Sequence, residues 1–199
     1  MADYNLYKIL LLGDCSSGKT SLIYRLIHNN FLEYYVSTIG IDFNIKSLVV
    51  NDKKVKLQLW DSCGQERFNA LTRSYYRNTD AFIICYDISS HKSFEDAKFW
   101  IKELEKHVID RPVIKILVGT KNDLDEDLRK VKYDDGKNYA DSLGIKFIET
   151  SSKNNSNINE LFHNLSSELL EKNYDGNAII MRRKPLFLQN ETKPKKYCC

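Results

Sequence analysis

The stretch Gly13-Asp14-Cys15-Ser16-Ser17-Gly18-Lys19-Thr20 constrains this chain more than any other. It matches G-x-x-x-x-G-K-[ST], follows the apolar run LYKILLLG (6–13) and precedes KTSLIYRLIHNNF, where Leu22, Ile23, Leu26 and Ile27 recur at helical spacing. A strand, a glycine loop and a helix in that order aim successive backbone N–H groups and the helix N-terminus at phosphate oxygens. In that frame Lys19 reaches the β- and γ-phosphates of a nucleotide, and the Thr20 hydroxyl ligates Mg²⁺. The alternative is an ordinary glycine-containing turn with a solvated lysine, and the flanking strand and helix speak against it.

The remaining pattern fits one frame around this loop. IDFNIKSLVV and KVKLQLW flank NDK and predict a β-hairpin. Strands are then expected at 81–88, 113–119 and 145–150, alternating with helices over about 93–108, 134–143 and 157–173. That alternation predicts an α/β fold of the P-loop type, a six-stranded, mainly parallel sheet with one antiparallel edge strand and helices on both faces. Loops at the carboxyl ends of the strands then form the ligand crevice. The expected division is a folded domain over 1–174 and a flexible tail over 175–199, which holds two of the three prolines and shows no hydrophobic period.

Charge separates the same two parts. From Asp175 onward six basic residues face two acidic ones, a net of +4, so the rest of a chain whose total is +3 carries −1. A nucleic-acid-binding domain would carry its basic stripe on the folded surface, so nucleic acid is excluded as a partner. A basic tail suits an anionic membrane face instead. The five cysteines show no C-x-x-C spacing, which points to a reducing compartment and away from structural zinc. No run is long enough to span a bilayer, the start lacks a secretory apolar core, and Ala2 excludes a Met-Gly acylation signal. The N-x-S/T matches at Asn154, Asn164 and Asn190 are then chance sequons. Cys198 and Cys199 end the chain side by side. Adjacent Cα atoms lie about 3.8 Å apart, below the usual span of a disulfide, so the pair is not a bridge.

A phosphate loop leaves the base undecided, and two later segments select guanine. In GTKNDL (119–124), Asp123 follows a strand and can accept from guanine N1–H and the 2-amino group together, a donor pair that adenine lacks. In ETSSK (149–153), the backbone N–H of Ser152 can donate to the 6-oxo group. Alone, TKND reads as a plain turn; the order of the three segments gives it weight.

With GDCSSGKT, STIGIDF, KLQLWDSCGQERF, YYRNT, GTKNDL and ETSSK in this order, the sequence resembles the Ras-superfamily small GTPases over about residues 6–173. IGIDF, KLQLW, RFNALT, YYRNT and ICYDIS resemble segments of the Rab branch, and SSGKTSLI, TIGIDF and LQLWD lean toward Rabs of the Golgi and secretory route. The resemblance implies that GTP or GDP is held by Gly13, Asp14, Cys15, Ser16, Ser17, Gly18, Lys19, Thr20 and Ser21, with Phe31, Tyr35, Thr38 and Gly64 added from the two switch segments. Thr120, Lys121, Asp123, Ser151, Ser152 and Lys153 would hold the base, with Phe31 and the Lys121 stem sandwiching its ring. Mg²⁺ would be held by Thr20, by Thr38 and, through water, by Asp61. Catalysis falls to Gln65, which orients the attacking water, with Lys19 and Thr38. Ile39, Gly40, Phe43, Trp60 and Tyr75 would form the effector surface; core burial is the other reading of the three aromatics.

The resemblance also implies doubly geranylgeranylated Cys198 and Cys199 and a switch that recruits effectors in vesicle trafficking. Two lipids make a stable anchor where one is marginal. Expected partners are an exchange factor, a GTPase-activating protein, a dissociation inhibitor, an escort protein with its geranylgeranyl transferase, and GTP-state effectors. LFL (186–188) resembles the tail motif that engages the inhibitor and the escort protein. The expected location is the cytoplasmic face of intracellular membranes, with a soluble cytosolic pool and a monomeric G domain. Several positions depart from the pattern: Thr120 where most members have Asn, Ser62 and Cys63 in DSCG where Thr and Ala are usual, Ser152 within SSK, and Cys15 beside the γ-phosphate, where mild effects are expected. Thr120 is expected to brace the base loop by a shorter contact. No arginine is placed to act in cis, so slow intrinsic hydrolysis and acceleration by an activating protein are expected. Two other readings are a non-hydrolysing GTP-binding scaffold and a P-loop nucleotide kinase; the chain has no spare segment for the lid and acceptor site a kinase needs.

Overall fold

The computed structural model describes residues 4–33, 38, 40–64, 75–107 and 113–172. Strand β1 (Asn5–Leu12) is followed by helix α1 (Lys19–His28), and β2 (Ile41–Val50) and β3 (Lys53–Ser62) form the hairpin. β4 (Ala81–Asp87), α2 (His91–His107), β5 (Ile114–Thr120), α3 (Tyr133–Ser142), β6 (Lys146–Thr150) and α4 (Ile158–Lys172) complete the alternation. The six strands form one sheet in the order β2-β3-β1-β4-β5-β6, and every neighbouring pair is parallel except β2 with β3. The fold class and the expected elements are those read from the sequence.

Parity along the strands divides the core into two layers. From β1, Ile9 and Leu11 join Leu22 and Leu26 of α1 and Phe162 and Leu165 of α4 on one face. Leu10 and Leu12 face the other way, among Phe94, Trp100 and Leu104 of α2 and Ala140 of α3. All seven residues of β4 are buried, as befits a strand covered on both faces. At about 25 cal/mol per Å² of apolar surface, these two layers are the main stabilising term, and truncating the fully buried Trp100 would cost about 3–5 kcal/mol.

Two local features refine the expected boundaries. The hairpin turns through Asn51 and Asp52, with φ of 50° and 59°, and two successive positive φ values match the twist of the flanking strands. Helix α2 begins at His91, two residues before the position expected from hydrophobic spacing. Ser90 explains this, because its hydroxyl accepts from the Ser93 N–H at 3.2 Å and its carbonyl from the Phe94 N–H at 3.3 Å.

The parallel strands β1, β3, β5 and β6 end at Leu12, Ser62, Thr120 and Thr150, so the segments that follow them gather along one edge of the sheet. Thr120 pairs in register with both Asp87 of β4 and Thr150 of β6, which brings the TKND and ETSSK segments side by side. No described helix is long and apolar enough to cross a membrane. The tail over 175–199, with Cys198 and Cys199, lies outside the described residues.

Candidate functional site

The phosphate loop is shaped by backbone that only glycine adopts easily. Gly13 has φ of 143°, and a Cβ on it would lie 2.3 Å from the Cys85 carbonyl oxygen; Gly18 has φ of 85° at the N-cap of α1. No side chain caps α1, so the first N–H groups of the helix are left for another acceptor. Lys19 is 4% exposed, and its ammonium arches back over the loop to donate to the Gly13 and Asp14 carbonyls at 2.8 Å each. A buried cation fed by carbonyls beside an uncapped helix N-terminus is built to receive an anion.

Three predicted residues from three segments meet beside this loop. The Thr20 hydroxyl donates to Asp61 Oδ2 at 2.6 Å, Thr38 Oγ1 lies 2.8 Å from Thr20 Oγ1, and Thr38 also reaches Asp61 Oδ2 at 3.3 Å. The other Asp61 oxygen, Oδ1, is buried without a hydrogen-bond partner. Burial pushes the Asp61 carboxyl above its ordinary value, against the pull of the Thr20 hydroxyl, the Lys19 charge and the Thr38 hydroxyl. A buried carboxylate with an unspent oxygen, next to two hydroxyls, is short of positive charge. Among the described residues no group of three or more His, Cys, Asp or Glu gathers at a point.

Gly64 closes over the loop. A Cβ on it would lie 2.3 Å from the Cys15 nitrogen and 2.6 Å from the Asp14 carbonyl carbon, and its φ is 84°. Gly64→Ala is therefore expected to destabilise the protein by about 1–3 kcal/mol, through overpacking and a strained φ. Chemical denaturation measures this; an unchanged midpoint would mean that the two segments part freely. Cys15, on the loop, is half-buried, whereas Cys85 beneath it is sealed in, and burial pushes its thiol up to about 12.

The base side is held by a chain of braces. The Thr120 hydroxyl donates to the Ser17 carbonyl at 2.8 Å and to that of Tyr86 at 3.0 Å, so the shorter side chain still ties the base loop to the phosphate loop. Lys121, at φ of 64°, has its ammonium 2.6 Å from Asp87 Oδ2. Burial alone would raise the Asp87 carboxyl, but the Lys121 ammonium, with the Ser89 hydroxyl and N–H, holds it below its ordinary value. Ser151 is fully buried; its hydroxyl donates to Asp123 Oδ1 and accepts from the Asn154 N–H at 3.0 Å, so it aims the carboxylate. Ser151 and Ser156 exchange backbone bonds that close the 151–156 loop, and the Ser152 N–H meets no acceptor among the described residues. Bidentate contacts from Arg129 to Glu149, at 2.8 and 2.9 Å, anchor the end of β6 beneath it.

Phe43, Trp60 and Tyr75 stack in sequence across the hairpin edge, with ring centroids 5.0 and 5.6 Å apart. Phe43 stays 42% exposed, while Trp60 and Tyr75 are half-buried, so the patch is part core and part surface. Sequence reasoning missed Lys8, which donates to the Tyr75 carbonyl at 2.7 Å and lies 5.0 Å from the Trp60 ring centroid, fixing the patch from below. It also missed Asp87 as the partner of Lys121, and Arg25, whose contacts are taken up below. Gly40, at φ of 74°, accepts from the Cys63 N–H at 3.1 Å, and Phe31 is half-buried just past the end of α1. Ser16 is exposed at φ of 64°, Ser21 is half-buried in the first turn of α1, and Lys153 is exposed. Tyr35, Ile39 and Gln65 lie outside the described residues.

The Ras family model matches residues 8–171. The chain belongs to the Ras family. Among similar proteins, the GTP-binding protein ypt2 of Schizosaccharomyces pombe is 39% identical over 197 residues, covering 98% of this chain and 97% of that one. The Ras-related protein RABD2a of Arabidopsis thaliana is 42% identical over 170 residues, 85% of this chain and 82% of its own. The Ras-related protein SEC4 of Saccharomyces cerevisiae is 42% identical over 176 residues, 88% of this chain and 80% of its own. Within the Ras family the chain is of the Rab type.

Proposed function

We propose that this Ras-family protein is a GTP-binding and GTP-hydrolysing switch of the Rab type, acting in vesicle trafficking. The observation that supports it most is the meeting of Lys19, Thr20, Thr38 and Asp61 around the uncapped start of α1. Lys19 and the loop N–H groups neutralise the phosphoryl oxygens, and Asp123 with the Ser152 N–H reads the guanine edge. Mg²⁺ fits the oxygen set, since it favours one or two carboxylates with hydroxyl, water and phosphate oxygens. Thr20 and Thr38 would hold it directly and Asp61 through water, and it would supply charge neutralisation to the β- and γ-phosphates. Asp61's unspent oxygen is the feature that accommodates it.

Hydrolysis is assigned to a water oriented by Gln65, with no arginine supplied in cis. Loss of the γ-phosphate removes the partner of Thr38 and of the Gly64 N–H, which releases both switch segments and lowers effector affinity. The Phe43–Trp60–Tyr75 patch is the surface that reports this change, and Ile39 and Gly40 are assigned to the same effector surface. In single-turnover experiments Gln65→Leu is expected to hydrolyse GTP at least about tenfold more slowly than wild type at similar GTP affinity. Equal rates would remove Gln65 from the mechanism.

The G domain spans 1–174, and the tail over 175–199 carries the membrane end of the switch. Cys198 and Cys199 are geranylgeranylated after delivery by the escort protein to the transferase; the dissociation inhibitor extracts the GDP form through the lipids and LFL (186–188). The tail lysines add about 1 kcal/mol each near an anionic leaflet. An exchange factor and an activating protein set the nucleotide state. The protein cycles between secretory-route membranes and a cytosolic pool. Replacing both terminal cysteines by serine is expected to move a tagged form almost wholly into the soluble fraction, as fractionation would show.

A further inference from the structure

Arg25 belongs to neither the phosphate motif nor the base motifs, yet it joins them. It lies in the second turn of α1, the helix that begins at the phosphate loop. Its Nε donates to the Ser152 carbonyl at 2.6 Å and one terminal nitrogen to the Lys153 carbonyl at 2.9 Å. The other terminal nitrogen donates to the Asn29 carbonyl at 3.0 Å, at the C-cap of its own helix. Asn29 in turn accepts from the Asn155 side-chain amide at 3.3 Å, so Arg25 of α1 and the helix's C-cap residue grip one loop.

The loop needs such a grip. Its ends are closed by the Ser151–Ser156 bridge, but the turn between them contains Asn155 at φ of 57° and has no ladder of its own. Two consecutive peptide units, at 152 and 153, are instead oriented by a planar fork whose donors have fixed directions. Among the described residues no carboxylate pairs with Arg25, so the guanidinium is committed to carbonyls, where its charge strengthens each bond.

Resting on the reading of this crevice as a guanine-nucleotide site, we propose that Arg25 is a positioning residue for guanine specificity. By fastening the Ser152 and Lys153 carbonyls to α1, it holds the Ser152 N–H where the 6-oxo group is read. Through Asn29 it sets that loop against the chain that leaves α1 toward Phe31. Arg25 touches neither base nor phosphate; it acts through the loop.

The test compares wild type, Arg25→Ala and Arg25→Lys as full chains, measuring affinity for GDP, inosine diphosphate and 6-thio-GDP. Inosine diphosphate keeps the 6-oxygen and lacks the 2-amino group; 6-thio-GDP keeps the edge read by Asp123 and replaces the 6-oxygen by a poor acceptor. Arg25→Ala should weaken GDP and inosine diphosphate alike, by roughly tenfold, and 6-thio-GDP by less than about twofold. The preference for GDP over 6-thio-GDP then shrinks while the preference over inosine diphosphate stays, and Arg25→Lys recovers part of the lost preference. Equal weakening of all three ligands, or of none, overturns the proposal, as does a wild type that binds GDP and 6-thio-GDP equally. If Arg25→Ala does not fold, Arg25→Lys alone must show a partial selective loss, and an unchanged ratio there overturns it. A wild type that prefers ADP to GDP would instead defeat the guanine-site reading itself.

Discussion

Replacing Lys19 by alanine is expected to lower affinity for GDP and GTP by roughly 10²–10³-fold or more, the largest effect of any single change in the crevice. The ammonium is buried and held over the loop by two carbonyls at 2.8 Å, so its position is set before any phosphate arrives. Such preorganisation avoids the ordering cost that a mobile surface lysine would pay on binding. Truncation removes a desolvated, charge-assisted contact and leaves the phosphates without their buried side-chain cation, a loss of about 2–5 kcal/mol. The Gly13 carbonyl loses the Lys19 donor and the Asp14 carbonyl keeps only the Ser17 N–H, so a smaller fall in thermal stability should accompany the binding loss. Equilibrium titration with a fluorescent GDP analogue, alongside circular dichroism to verify the fold, measures both. Affinity within threefold of wild type would contradict the role given to Lys19.

Asp123→Asn should produce the second-largest effect, and a more selective one. The carboxylate accepts a hydrogen bond from the buried Ser151 hydroxyl, which leaves its other oxygen capacity for the guanine N1–H and 2-amino donors. An amide offers one acceptor and one donor, so the second contact becomes donor against donor. Guanine nucleotides should weaken by roughly 30- to 300-fold. Xanthine, which carries an oxygen where guanine has the 2-amino group, should gain, because the amide N–H can donate to it. Competition among GDP, xanthosine diphosphate and ADP reads the outcome directly. A variant that keeps the wild-type order of the three would show that Asp123 does not face the base.

The parts of the site that were legible in the sequence are those whose chemistry requires particular residues at particular spacing. Gly13 and Gly18 were readable because their φ values of 143° and 85° are open mainly to glycine, and the string demanded glycine there. Strand parity sets Ile9 and Leu10 in opposite layers, but an apolar run such as LYKILLLG does not show which residue meets which helix. What stayed hidden were contacts made by versatile side chains to distant carbonyls. Arg25 meets carbonyls at Ser152 and Lys153, across well over a hundred residues of chain, and nothing in the helical period of α1 marks an arginine that faces a loop. Nothing in the apolar run LYKILLLG marks a role for Lys8, yet it donates to Tyr75 and supports Trp60. Thr120 was legible as a departure from the family pattern; that its hydroxyl still reaches Ser17 depends on the close approach of Gly18 to the Thr120 side chain.

This crevice is expected to hold GTP and turn it over once per cycle. Single-turnover phosphate release from the purified protein, loaded with GTP in the presence of Mg²⁺, tests it most directly. One phosphate per bound GTP is expected, released slowly, with the bound product recovered as GDP and no turnover of ATP under the same conditions. Bound GTP that persists unhydrolysed, even when a cognate activating protein is added, would contradict it.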